Sequence, residues 1–207
     1  MSATLARRPT QEERTALSEQ RMLSAAISLI VEVGVAGTTL AAIGERAGYS
    51  RGLVTHRYGS KGGLLSAIHD VAVQDWIQRV KQAVGAAEGL EALQRVVDAL
   101  FGFFAEAPDE IRAMYLLRFA SIDPGAEYRD SVARAHRAQR RDAERWIQQG
   151  QAAATIRQDT AATALAELFC SALDGVTYRW MVAPESGLDS LRSELQQQVR
   201  LALGRRN

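Results

Sequence analysis

The sequence predicts an all-α chain, and three observations predict it. Apolar residues recur at helical spacing through most of the 207 residues, only four prolines interrupt them, and no long β-branched alternation is visible. The hydrophobic share of 47% is that of an ordinary globular protein, and the length suffices for one large or two small domains. The reading divides the chain into an N-terminal three-helix unit, residues 1–60, and a C-terminal helical bundle, residues 61–207.

Local chemistry places each element. Residues 1–9, with Arg7 and Arg8, read as a loose basic arm. Thr10 and Glu13 have the spacing of a capping box, so a helix can begin there. Its firm part is residues 19–33, with Leu23, Ala26, Ile27, Ile30 and Val31 on one stripe and Gly34 as the stop. Thr39 caps a short helix over 40–47, which Gly48 ends by taking the left-handed conformation open to glycine. Ser50 caps a second short helix over 51–58. Two helices joined by a three- or four-residue turn with glycine form a helix-turn-helix signature.

Ser60 caps a fourth helix to about residue 84, whose glycines Gly62 and Gly63 suggest a compliant joint between the two parts. Five further helices follow at about 90–105, 109–121, 127–149, 160–182 and 188–203, separated by Pro108, Pro124-Gly125, Gly150 and a turn over 184–187.

The outward face of the second short helix carries the functional argument. Arg51, Thr55, His56 and Arg57 all present donors, Gly52 leaves room for close approach, and Lys61 follows just past the end. A helix fits the major groove of B-DNA, where hydroxyl, imidazole and guanidinium groups read base edges or hold phosphates. On spacing alone, a polar solvated face on an ordinary helical hairpin fits equally well.

Residues 21–65 contain RMLSAAISLIVEVG, TTLAAIGERAGYS and RYGSKGGLL. These closely resemble the DNA-binding region of the TetR family of transcriptional repressors. The family pattern is a helix ending in Gly, a Thr-rich cap, Ile-Ala-x-x-Ala-Gly-Val-Ser, a recognition helix ending in an aromatic, then Ser-Lys and Leu. The chain departs from it at Thr55, where the family usually has Tyr, and at Arg57, where His is common. It departs also at Tyr49 for Val, Tyr58 for Phe, and Gly62 for an acidic residue. The changes at Thr55 and Arg57 bear on base preference rather than on groove binding.

The resemblance implies a ligand-responsive regulator, most simply a repressor, that binds a palindromic double-stranded DNA operator as a homodimer in the cytoplasm. The DNA-facing candidates are Thr38, Thr39, Ser50, Arg51, Gly52, Thr55, His56, Arg57, Tyr58 and Lys61. Of these, Arg51, Thr55 and His56 would meet bases or adjacent phosphates, while Thr39, Arg57, Tyr58 and Lys61 would hold the backbone. The last two helices, with broad apolar stripes, would pair across a two-fold axis; isologous dimers are also the commonest oligomers. A pocket for a small-molecule effector would lie among helices four to eight. Its candidate lining is Trp76, Phe101, Phe104, Met114, Arg118, Trp146, Cys170 and Asp174, of which Arg118 and Asp174 are polar interruptions of apolar runs.

Composition adds limits. The first 66 residues hold eight Lys or Arg against five Asp or Glu, a modest basic excess on a slightly acidic body. Helix seven holds a second basic cluster, Arg129, Arg134, Arg137, Arg140, Arg141 and Arg145, read as a solvated face with local ion pairs. One cysteine, Cys170, allows no intramolecular disulfide. No leader segment and no 18-residue apolar span is read, so no membrane partner is expected. The three histidines, His56, His69 and His136, show no metal spacing, and no nucleophile motif or phosphate-binding glycine loop is present. No cofactor, metal or catalysis is therefore expected. Two rivals stay open: a helical ligand carrier or adaptor without DNA binding, and a TetR-like activator.

Overall fold

The computed structural model describes residues 10–183 and 187–205. The Arg7–Arg8 arm and the turn at 184–186 lie outside them. The element order is α1 (Gln11–Gly37), α2 (Leu40–Ala47), α3 (Arg51–Tyr58), α4 (Lys61–Val84), α5 (Gly89–Glu106), α6 (Pro108–Ala120), α7 (Arg129–Ala152), α8 (Ala162–Val182) and α9 (Leu188–Leu203). Among the described residues there is no strand; one isolated bridge joins Ile156 to Gly204.

The helix ends follow from the caps. The Thr10 side chain accepts from the Glu13 amide and the Glu13 carboxylate accepts from the Thr10 amide, the reciprocal box that starts α1 eight residues before its firm stripe. Gly34, at φ 74° and ψ 170°, breaks α1, as expected, but a further turn carries the helix label on to Gly37. Thr38 closes that turn: its amide and hydroxyl both donate to the Gly34 carbonyl, at 3.2 and 2.8 Å. Gly48 takes φ 78° and ψ 31°, the left-handed corner between α2 and α3.

Two apolar cores share the molecule. In the first, Met22, Ala26 and Ile30 of α1, Ile43 of α2 and Val54 of α3 pack on Leu64, Leu65 and Ile68 of α4. This core also takes Ala113 and Leu117 of α6, Tyr128, and Val132 of α7, so the N-terminal unit is seated on the body rather than tethered to it. The second core is built from α4 to α9 around Phe101, Phe103, Phe104, Ile147, Phe169, Leu173 and Trp180.

Two expectations are corrected. The glycines at the head of α4 mark tight packing. A Cβ on Gly62 would stand 2.3 Å from Glu127 Oε2, and one on Gly63 would stand 2.2 Å from the Tyr58 carbonyl oxygen. Glycine is required because another element occupies the space, a reason different from compliance. The second concerns α1, which by length and composition alone is apolar enough to cross a membrane, with a hydropathy of 1.3. In this fold its apolar stripe is covered by α2, α4 and α6.

Candidate nucleic-acid interface and effector cavity

The α2–α3 hairpin presents a small set of free side chains. Arg51, Gly52, Thr55 and His56 are exposed on α3, and Thr39 and Ser50 are exposed at the two helix starts. The caps use hydroxyl oxygens as acceptors: Thr39 Oγ1 takes the Ala42 amide at 3.1 Å and Ser50 Oγ the Leu53 amide at 3.2 Å. The Thr55 hydroxyl donates to the Arg51 carbonyl at 3.0 Å, which leaves the oxygen of this exposed side chain able to accept. Gly44 explains how close the hairpin is drawn, since a Cβ there would stand 2.8 Å from the Tyr49 carbonyl oxygen.

The remaining candidates are committed within the fold. Thr38 is fully buried, with its hydroxyl spent on Gly34, and cannot reach a partner without unfolding that turn. Arg57 turns back to α1, with Nη1 3.3 Å from Glu19 Oε2 and Nη2 3.5 Å from Ser18 Oγ. Tyr58 is half-buried, and desolvation, aided by Glu19, raises its phenol above the usual range. Lys61 donates to the Ala36 carbonyl at 3.0 Å, which ties the head of α4 to the end of α1. On the far side, Arg46 grips Glu32 with both Nη atoms, at 2.6 and 2.7 Å, so this basic residue is neutralised locally.

In the body, a cavity of about 460 Å³ opens between α4, α5, α6, α7 and α8. That size falls in the range for small-molecule sites, roughly 300–1,000 Å³. Of the candidates, Trp76, Arg118 and Trp146 line it. Met114 lines only a small void of about 10 Å³ beside it. Phe101, Phe104, Cys170 and Asp174 stand outside the cavity wall. Phe104 stacks on Trp180 at 4.4 Å between ring centroids, and Phe101 packs edge-on to Phe104 at 5.2 Å, so both rings are used as core. Burial pushes the Cys170 thiol up to about 12, leaving it an unreactive packing group.

Other wall residues lie outside the candidate lining: Val73, Ile77, Val80 and Lys81 of α4, Gln139, Asp142 and Arg145 of α7, and Phe169 and Leu173 of α8. Trp76, Val80, Phe169 and Leu173 are on stripes that periodicity assigns to the interior. No periodicity says which interior positions face a void. Asp142 and Arg145 sit in a helix seven that reads as solvated, and they do pair with each other at 2.9 Å.

Asp174 acts from behind the wall. Its Oδ1 accepts from the Tyr115 hydroxyl at 2.6 Å and lies 3.5 Å from Arg118 Nη1. Arg118 also sits over the Tyr115 ring, 4.9 Å from its centroid. Burial first, and the neighbouring Asp174 carboxylate, hold the Tyr115 phenol far above its usual range, so it is a permanent donor. His69, fully buried nearby, is pushed down to about 4 by desolvation and then by the Arg118 charge.

These features define a helix-turn-helix protein whose α2–α3 hairpin is seated on a cavity-bearing helical body. Residues 22–68 match the sequence model of the bacterial regulatory proteins of the tetR family. Over 80 residues the chain is 35% identical to the HTH-type transcriptional regulator BetI of Burkholderia thailandensis. That stretch is 38% of this chain and 41% of the relative, so the match spans less than half of the relative's length. The same extent and identity relate it to BetI of Burkholderia pseudomallei.

Solved structures extend the likeness over about nine-tenths of the chain. A transcriptional regulator from Saccharomonospora viridis superposes with a TM-score of 0.80 at 20% identity, covering 92% of this chain and all of that one. SmeT, the repressor of the Stenotrophomonas maltophilia multidrug efflux pump SmeDEF, superposes at 0.72 with 24% identity over 90% of each chain. At these identities the superpositions establish the shared all-α fold.

Proposed function

We propose that the chain is a ligand-responsive, DNA-binding transcriptional regulator that acts as a repressor on a palindromic operator. The observation that carries it is the face of α3. Arg51, Thr55 and His56 stand clear of the core on a capped helix that is held by α1, α2 and α4. A helix presented in this way enters the major groove, and its phosphate contacts set affinity while its base contacts set sequence choice. Thr39 and Ser50, at helix starts where backbone amides concentrate positive potential, flank the groove-facing helix and suit phosphates. Arg57, Tyr58 and Lys61 position α3 from within, a role that replaces the backbone contacts expected of them. The division at residues 60 and 61 remains part of this reading.

A homodimer through α8 and α9 completes it. Leu168, Ser171, Gly175, Tyr178 and Val182 are all exposed and share one face of α8, at three- and four-residue spacing. Leu168 is 50% exposed, Tyr178 52%, Val182 65% and, on α9, Leu201 64%. Such an apolar stripe on a terminal helix pair suits a second copy. Two reading heads one DNA turn apart then read a palindrome.

The body cavity supplies the switch: an effector that favours one spacing of the heads releases the operator by population shift. The Saccharomonospora viridis structure is a complex with choline, and SmeT has been solved with triclosan, so proteins of this fold bind small organic molecules. Reading chromosomal DNA places the protein in the cytoplasm.

Selection of bound duplexes from a random pool tests the function. A recovered palindrome with half-sites about one turn apart is the expected result. A folded dimer that enriches no duplex over random competitor would leave the ligand-carrier alternative standing.

A further inference from the structure

The cavity wall carries an excess of positive charge. Lys81 from α4, Arg118 from α6 and Arg145 from α7 face one carboxylate, Asp142, which is already bonded to Arg145 at 2.9 Å. The rest of the lining is apolar or aromatic, dominated by Trp76, Trp146, Phe169 and Leu173.

Arg118 is the unusual member. It is 8% exposed, yet its guanidinium is poorly satisfied. Nη1 reaches Asp174 only at 3.5 Å, and Nε is closed off from solvent with no hydrogen-bond partner. The Asp174 oxygen it leans on is already taken at 2.6 Å by the Tyr115 hydroxyl. A buried donor without an acceptor is costly, and native structures place few of them without a reason. The small void that continues beside Arg118 is walled by Trp76, Tyr115, Gln139 and Leu173 as well, so the guanidinium stands at the inner end of the space.

From this geometry we infer that the effector is an amphipathic organic anion, an aromatic or aliphatic body packed between Trp76, Trp146 and Phe169 with a carboxylate docked on Arg118. A guanidinium edge is the matching fork for a carboxylate, and the low-dielectric wall strengthens the pair. Lys81 and Arg145, nearer the opening, attract the same charge on entry. A quaternary ammonium ligand would meet three cations and no free carboxylate. The inference rests on the cavity being the effector site.

The test uses the full-length protein and three probes that share one body: 2-naphthoate, 2-naphthamide and a naphthyl-trimethylammonium salt. Tryptophan quenching and calorimetry read binding, and operator retention reads the switch. Naphthoate is expected to bind at least about tenfold tighter than either of the others. R118Q should bring naphthoate and naphthamide within about threefold of each other. D174N, which frees Arg118 from its internal partner, should tighten naphthoate several-fold. The two variants move in opposite directions, so a folding failure in one leaves the other decisive. Equal or tighter binding of the amide or the ammonium salt, or an unchanged preference in R118Q, overturns the anion assignment and leaves the cavity as a ligand site. No binding by any of the three, with operator affinity unmoved, overturns the effector reading of the cavity and this inference with it.

Discussion

Ser60 Oγ donates to Glu127 Oε2 at 2.7 Å, joining the cap of α4 to the loop before α7 across 67 residues. The same hydroxyl accepts the Gly63 amide at 3.0 Å, so one side chain starts α4 and anchors it to the body. Glu127 comes this close only because Gly62 has no side chain. The head of α4 is therefore a packed joint between the helix-turn-helix unit and the body.

Gly62→Ala follows directly. The new methyl would fall on the Glu127 carboxyl and carbon chain, forcing that side chain out and breaking its bond to Ser60. The expected loss is about 1–3 kcal/mol, read as a fall of several degrees in Tm. E127A in the same chain should recover part of that loss, since it removes the carboxyl in the way while its Cβ stays. A G62A protein as stable as the parent would show that the joint is looser than it stands here.

The two arginines of α3 should behave differently in DNA binding. Arg51 is exposed and without an ion-pair partner among the described residues, so R51A should weaken operator binding about tenfold or more and lower the salt slope by about one. Arg57 leans on Glu19 and Ser18 of α1. R57A should cost less in affinity, leave the salt slope nearly unchanged and lower Tm slightly. Filter binding across a salt series separates them; equal slopes for the two variants would refute the assignment.

How much of this could be read before folding differs by region. The reader was legible because its signals are local. Thr10, Thr39, Ser50 and Ser60 each cap a helix within three residues of themselves, and Gly48 turns the chain where it stands. Thr38 misled because a threonine beside a cap looks free; its burial comes from the turn that Gly34 creates. Gly62 and Gly63 misled for a longer-range reason, since Glu127 is invisible from α4. In the body, the aromatic stripes marked the interior but not the void. Phe104 and Phe169 share the same periodic logic, yet one stacks on Trp180 and the other lines the cavity. Arg118 stood out because a charge inside MYLLRFA needs a partner, and its partner is the other interruption, Asp174.

The exposed stripe of α8 gives the oligomer test. L168E or Y178E places a carboxylate at the centre of the proposed two-fold contact, where an unpaired buried charge is strongly unfavourable. Sedimentation should show the parent as a dimer at micromolar concentration, and either variant as a folded monomer with dimer affinity weakened at least about a hundredfold. Operator binding should fall with it, because a single head makes half the contacts. A monomeric parent, or a variant that remains dimeric, would place the interface elsewhere.

Acid should destabilise the fold through His69. The imidazole is fully buried between α4 and α7, near the Ser131 hydroxyl, with Asp70 beside it and the charges of Arg118 and His136 opposing protonation. In the native state it titrates near 4, against about 6.5 when unfolded. The unfolded chain therefore binds the extra proton first. The contribution of the neutral ring is complete above about pH 6.5, shrinks as pH falls through that range and is lost below about 4, for a total of up to about 3 kcal/mol. Chemical denaturation at steps between pH 4.5 and 7.5 should show stability rising with pH. H69Q should flatten that rise whatever its absolute stability, because glutamine has no proton to gain. A slope that survives the substitution would assign the acid sensitivity to another group.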